Sequence, residues 1–224
     1  MQAGSIETDK REIYRYLGYR GAVPDKRVEE AVDSCLEDLR QAVTPGFVFR
    51  QYPIERLKED PDVLSIAGVE IRSRNLSTNL RDCRSVYLMA ATLGMGPDRL
   101  IARASVGYMS RAVILQAAAA AMIEAWCDEV NRRIIEEAGK QGLYCRPRFS
   151  PGYGDFPLSF QRDMAGILRM QKEIGVSLTE SLLLVPAKSV TAVIGLSGVK
   201  EECVLQGCEV CVKAAECPFS RLKI

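Results

Sequence analysis

Four cysteines stand within fifteen residues near the C-terminus, Cys203, Cys208, Cys211 and Cys217, in the pattern C-x4-C-x2-C-x5-C-P. Thiolates are the ligands that zinc and iron–sulfur clusters share. A C-x2-C pair can hold one metal while the flanking cysteines complete a four-thiolate shell. The proline after the last cysteine also ends bacterial [4Fe–4S] motifs. The spacing therefore predicts one metal centre, zinc or [4Fe–4S], with reversible disulfides or ordinary thiols as the alternative. The other cysteines, Cys35, Cys83, Cys127 and Cys145, are scattered through the chain. Cys35 and Cys127 fall among apolar neighbours on expected helices and read as small buried hydrophobes. The chain contains no histidine. That excludes Ser-His and Cys-His nucleophile pairs and every zinc site that uses histidine, and it leaves Asp, Glu, Lys, Tyr or Cys as any general base.

Three further stretches have chemical potential. "RFSPGYGDFPLSFQ", residues 148–161, combines turn formers, aromatic rings and an arginine. It is too rich in Pro and Gly for a helix and too aromatic for an idle linker. Glu124 interrupts the apolar run "AAAAAMIEAWC"; its carboxylate either reaches the surface or faces a ligand pocket, and periodicity alone leaves both open. "TLGMG" follows an apolar strand and precedes a helix, the setting of a dinucleotide loop. Arg99 occupies the position of the third glycine, however, so the expectation is that Gly94 and Gly96 simply form a turn.

These residues need a scaffold. At 224 residues, 47% of them apolar, the chain can bury a substantial core without staples. Net charge is +1 with the signs well mixed, which argues against nucleic acid and anionic membrane as partners. No apolar run reaches the roughly 18 residues of a membrane span. The N-terminus lacks a basic-then-apolar leader, so the expected compartment is the cytoplasm, where cysteines stay reduced. "KREIYRYLGYRG" and "VPDKRVEEAVDSCLEDLRQAV" read as helices, the second started by Pro24 and Asp25. "GFVFRQYPI", "VLSIAGVEI", "SVYLMAATL", "SLLLVPA" and "SVTAVIGL" read as strands. Ser77 is placed to cap a short helix, "TNLRDCR". The longest helical signal runs from about Tyr108 to Glu137 with an alanine-rich centre. "FQRDMAGILRMQKEIG" reads as one helix ending at Gly175.

The ordered motifs "RFSPGYGDFPLSFQ" and "IGVSLTESLLLVPAKSVTAVIGLSG", with the upstream block "LMAATLG…AVILQAAAAAMIEAWCDEVNRRI", resemble the activation (reactivation) domain of cobalamin-dependent methionine synthase, in its short, stand-alone form. The resemblance spans about Leu80 to Gly198. It implies a single α+β domain with a curved, largely antiparallel sheet, packed helices and a long central helix. The domain is expected over residues 1–200, with a helical part at about 1–45 and a cysteine-rich metal-binding segment at 201–224.

The resemblance also implies an S-adenosylmethionine site and a cobalamin carried by a partner, either a separate corrinoid protein or a methionine synthase core. In that family an electron from a flavodoxin-like donor reduces the oxidised cobalamin, and S-adenosylmethionine then methylates it. The ligand site carried over by resemblance comprises Glu124, Arg148, Phe149, Ser150, Gly152 and Tyr153. Arg148 would pair with the ligand carboxylate, and Glu124 with a cation or sugar hydroxyl. Backbone groups near Phe149 and Ser150 would meet adenine or ribose, Gly152 would allow close backbone approach, and Tyr153 would offer a ring face. No side chain is expected to act as a covalent catalyst. Ser159 stands near the position where longer members carry a histidine, so docking contacts are expected to differ. Two other functions remain: an iron–sulfur redox module that itself delivers the electron, and a zinc-stabilised interaction scaffold.

Overall fold

The computed structural model describes residues 6–19, 22–57 and 59–200. The predicted metal ligands Cys203, Cys208, Cys211 and Cys217 lie outside the described residues. Helices α1 (Lys10–Tyr16) and α2 (Lys26–Ala42) lead into strands β1 (Gly46–Arg56), β2 (Val63–Ile66) and β3 (Val69–Arg72). Helix α3 (Arg74–Asn79) precedes β4 (Cys83–Thr92), α4 (Gly96–Gly107) and α5 (Met109–Lys140). The chain continues through β5 (Tyr144–Cys145), α6 (Phe160–Ile167), α7 (Met170–Ile174), β6 (Ser177–Leu178), β7 (Leu184–Val185) and β8 (Ser189–Ser197). Strands β6 and β7 pair apart from the main sheet, whose order is β3-β2-β1-β4-β8-β5. Every pairing in that sheet is antiparallel, as expected.

Period-two alternation explains how the sheet is covered on both faces. From β4, Tyr87, Met89 and Ala91 enter one core with Ala192, Ile194 and Leu196 of β8, packed under α1, α2, α4 and α5. The intervening Val86, Leu88 and Ala90 enter a second core with Phe156, Phe160, Met164, Leu168 and Met170, under α6 and α7. From Val86 to Ala91 strand β4 is apolar at every position because both its faces are buried there. Burial of each such side chain contributes about 1.5–3 kcal/mol.

Helix α5, 32 residues and so about 48 Å long, runs across the first face. Its small buried side chains, Ala117, Ala118, Ala119 and Ala121, let it approach the sheet closely. The Trp126 indole N–H donates to the Gly46 carbonyl at 3.1 Å and fixes the helix against the start of β1. Among the described residues, no helix is long and apolar enough to cross a membrane.

Two local expectations are corrected. The short helix before β4 starts four residues early: Ser73, not Ser77, is its N-cap, accepting from the Leu76 N–H at 3.0 Å. Ser77 is instead buried within α3. The expected single helix over 160–175 breaks at Arg169, which adopts φ +54°, dividing it into α6 and α7. The reversal lets Met164, Leu168 and Met170 all reach the second core. Asp25 does cap α2, accepting from the Val28 N–H at 2.9 Å.

The glycines of "TLGMG" serve packing. A Cβ on Gly94 would lie 2.0 Å from the Thr44 hydroxyl, and one on Gly96 would lie 1.9 Å from the Ala42 carbonyl oxygen. The turn therefore sits directly on the end of α2. Gly96→Ala is expected to lower stability by about 1–3 kcal/mol in urea denaturation, because the clashing atom is backbone and cannot rotate away. Gly107→Ala, where a Cβ meets nothing within 4 Å, is expected to be neutral or stabilising by up to about 1 kcal/mol.

Candidate ligand site

Helix α5 presents Glu124 and Asp128 one turn apart, on the same face. Between them Cys127 is fully buried. The segment after β5 crosses to this face and delivers Arg148. One guanidinium nitrogen, Nη2, lies 2.8 Å from Asp128 Oδ1 and 3.7 Å from Glu124 Oε2. The other, Nη1, is buried and makes no hydrogen bond. The Arg148 side chain is 23% exposed, against 48% for Glu124 and 72% for Asp128, so the charges sit at the surface, not within the core. Burial pushes the Cys127 thiol up to about 12; nearby Arg148 pulls it down and Glu124 and Asp128 push it further up. It is thus protonated at neutral pH and is no nucleophile.

The backbone route that brings Arg148 here is fixed by the next residue. Phe149 exchanges two hydrogen bonds with Val193 of β8, each 2.9 Å. Its ring stacks on Phe156 at 6.0 Å between centroids, in the second core. Arg146, two residues earlier, goes elsewhere: it is buried beside Cys83 and lies 3.8 Å from Asp82.

Beyond Phe149 the chain makes a tight loop. Gly152 has φ +90°, a conformation that L side chains rarely adopt. Its N–H donates to the Phe156 carbonyl at 2.9 Å, and the Tyr153 N–H donates to the Ser150 carbonyl at 3.2 Å. The Tyr153 ring is left 69% exposed. The next turn is tied to α3 by Asp155. Its Oδ1 accepts from the Ser73 hydroxyl at 2.5 Å and from the Asn75 N–H at 3.1 Å, and its Oδ2 accepts from the Arg74 N–H at 2.9 Å. Gly154 has φ +56°, a conformation that favours glycine, and a Cβ there would push the Asn75 side-chain amide aside.

The structure thus brings Glu124 and Arg148 together. It places Gly152 and Tyr153 at an exposed, conformationally restricted turn. Of the backbone groups near Phe149 and Ser150, the Phe149 N–H and carbonyl are bonded to Val193. The Ser150 carbonyl is likewise engaged within the turn. A small cavity of about 140 Å³, lined by Ile6, Glu7, Ala125, Trp126, Glu129 and Arg132, opens on the neighbouring face of α5. It is below the roughly 300 Å³ of ordinary small-molecule pockets. A larger one of about 440 Å³, at the α6–α7 corner, contains none of these residues. Among the described residues, no group of three or more Cys, Asp or Glu side chains is arranged to hold a metal ion.

Residues 84–200, just over half of the chain, match the family described as vitamin B12 dependent methionine synthase, activation domain. The chain belongs to that family. The matched span holds β4, α5, the Arg148 loop and β8, the elements that build the site. The fold extends the likeness. The crystal structure of the MetH reactivation domain bound to AdoHcy aligns with a TM-score of 0.62 at 16% identity, over 92% of this chain and 80% of that one. No curated protein matches the chain.

In this activation domain two site residues went unnoticed in the sequence. Asp128 was legible as the residue four beyond Glu124, on the same helix face. Asp155 had no local signal, because the helix it caps lies some eighty residues earlier. Hydrogen bonding from Ser73, above all, holds its carboxyl below the ordinary value, aided by the backbone N–H groups of Asn75 and Arg74 and opposed by slight burial. A lowered folded value means the stabilisation is present in full above the unfolded carboxylate range and is lost as pH falls through the folded value. Asp155→Ala is therefore expected to cost about 0.5–1 kcal/mol at pH 7, the low end for caps because the carboxylate is exposed. In urea denaturation the gap to the wild type should narrow only below about pH 4.

Proposed function

We propose that this chain is a reactivation protein. It binds S-adenosylmethionine and supports reductive methylation of cobalamin held by a separate corrinoid protein or a methionine synthase core. The observation that carries the reading is the Arg148 guanidinium, set between Glu124 and Asp128 with an unspent, buried Nη1 donor. An amino-acid end group carries a carboxylate and an ammonium, and a guanidinium flanked by carboxylates meets both. The family membership and the AdoHcy bound to the similar MetH domain support the same ligand class.

In this role Arg148 pairs with the ligand carboxylate and Glu124 with its ammonium or a sugar hydroxyl. Gly152 keeps the turn open to close approach, and the exposed Tyr153 ring offers a face to adenine or to the cationic end. The ligand supplies the methyl group. The protein's own residues bind and orient it, and the gain in rate comes from positioning. None of them needs to form a covalent bond or move a proton.

Isothermal titration with S-adenosylmethionine tests this reading. Arg148→Ala is expected to weaken binding at least about tenfold with the fold retained, since a charge pair of this kind is lost. Arg146→Ala serves as the comparison, with a smaller effect on affinity at equal folding. Gly152→Val is expected to harm binding more than Tyr153→Phe, which keeps the ring. Unchanged affinity in Arg148→Ala removes the assignment.

The cysteine segment is proposed to bind a single metal centre through Cys203, Cys208, Cys211 and Cys217. Zinc would make it a structural knob. A [4Fe–4S] cluster would make it the source of the electron, in place of a flavodoxin-like donor. Metal analysis of anaerobically purified protein is expected to give about one zinc, or about four irons with labile sulfide, per chain. The metal should be lost in Cys208→Ser and Cys211→Ser and kept in Cys35→Ser. Metal-free protein under those conditions would leave the segment with ordinary thiols.

A further inference from the structure

The charge count around Arg148 is unbalanced. Glu124 and Asp128 both approach its guanidinium, at 3.7 and 2.8 Å, so two carboxylates face one cation. The Cys127 thiol beneath them is protonated and adds no charge. Further along the helix Glu129 bonds both Arg132 and Arg133, one acid for two cations, with Arg133 turned over the Phe47 ring at 5.2 Å. Within ion-pair reach of Arg148 there is therefore one carboxylate more than there are cations, and Asp128 is the more exposed of the two.

A ligand carboxylate that takes Arg148 must share it with, or displace, the nearer acid, Asp128. Asp128 is then left facing the ligand with its charge no longer neutralised. This matters differently for the two forms of the ligand. S-adenosylmethionine carries a sulfonium, whereas S-adenosylhomocysteine, the product of methyl transfer, is a neutral thioether with the same adenosine and the same zwitterionic end. Whatever Asp128 does to the shared parts, through competition for Arg148 or attraction of the ammonium, acts on both and cancels in their ratio. Only the sulfonium charge remains.

We propose that Asp128 is a specificity-determining residue: it makes the site prefer the methyl-bearing sulfonium ligand over its demethylated product, so that the product leaves and is replaced. The proposal rests on the S-adenosylmethionine reading above. For a unit charge within about one Debye length of the sulfonium, about 8 Å, at a water-rich surface, the preference changes by roughly two- to fivefold, and salt screens it.

The experiment is paired titration calorimetry with S-adenosylmethionine and S-adenosylhomocysteine, at low and at high salt. The proteins are wild type, Asp128→Asn, Asp128→Glu and Glu30→Gln. Glu30 is an exposed acid on α2, 3.9 Å from Lys26, and matches the charge change away from the site. Asp128 is 72% exposed, so its variants should fold; thermal melting checks this. The expected result is a preference for S-adenosylmethionine that falls about two- to fivefold in Asp128→Asn at low salt. It should return in Asp128→Glu, stay unchanged in Glu30→Gln, and shrink in the wild type at high salt. An unchanged ratio in Asp128→Asn, with both ligands bound, overturns the proposal and leaves the functional reading standing. Wild-type protein that binds neither ligand overturns both.

Discussion

From Val86 to Ala91 every side chain is buried, and successive ones enter opposite cores. A one-residue slip of β4 would move every one of these side chains to the other face, where the space is already shaped for a different set. The register against β1 and β8 is therefore held by packing on both sides as well as by hydrogen bonds. The helical layers are fitted to this ladder. Helix α5 packs on the first face through small residues and Trp126, and α6 and α7 pack on the second through Met164, Leu168 and Met170.

The candidate site inherits its precision from the same ladder. Val193 on β8 takes up Phe149, so the loop that follows starts from a fixed point on the sheet. The Phe149 ring then enters the second core while the Arg148 guanidinium lies against α5, over the first. Two consecutive residues thus straddle the two layers. Asp155 anchors the far end of the loop on α3, leaving the Gly152–Tyr153 turn held from both sides. Held ends and a left-handed glycine reduce the freedom the turn must give up when it meets a ligand.

Much of this was legible wherever a segment's environment is uniform. The centres of strands β4 and β8 are buried on both faces and helix α5 has an alanine-rich buried stripe, and their composition says so directly. The helical pattern of α2 and its Asp25 cap were equally local. What escaped depends on distant partners. Ser73 rather than Ser77 starts α3 because Asp155 and the second core fix that end, and neither is visible nearby in the chain. The break at Arg169 has no glycine or proline to announce it; it follows from where Leu168 and Met170 must point. Within the site, Arg148 and Glu124 were found together through family likeness, not spacing. The engagement of the Phe149 backbone was hidden because a single β-bridge leaves no alternating pattern.

The arrangement also limits what the chain can do chemically. Its most deeply placed thiol near the site, Cys127, is held protonated by burial, and the charged groups beside it are engaged with one another. Among the described residues around the site, no side chain is set up as a nucleophile with an activating base, and the absence of histidine from the sequence removes the usual one. Such a cluster can still do what the proposed role asks: recognise a doubly charged end group and hold it in one orientation. The exposed placement of Glu124, Asp128 and Tyr153 fits the same role. A fully enclosed site would hide the methyl group from a cobalt atom carried on another protein, whereas one at the surface leaves the final approach to the partner that docks there.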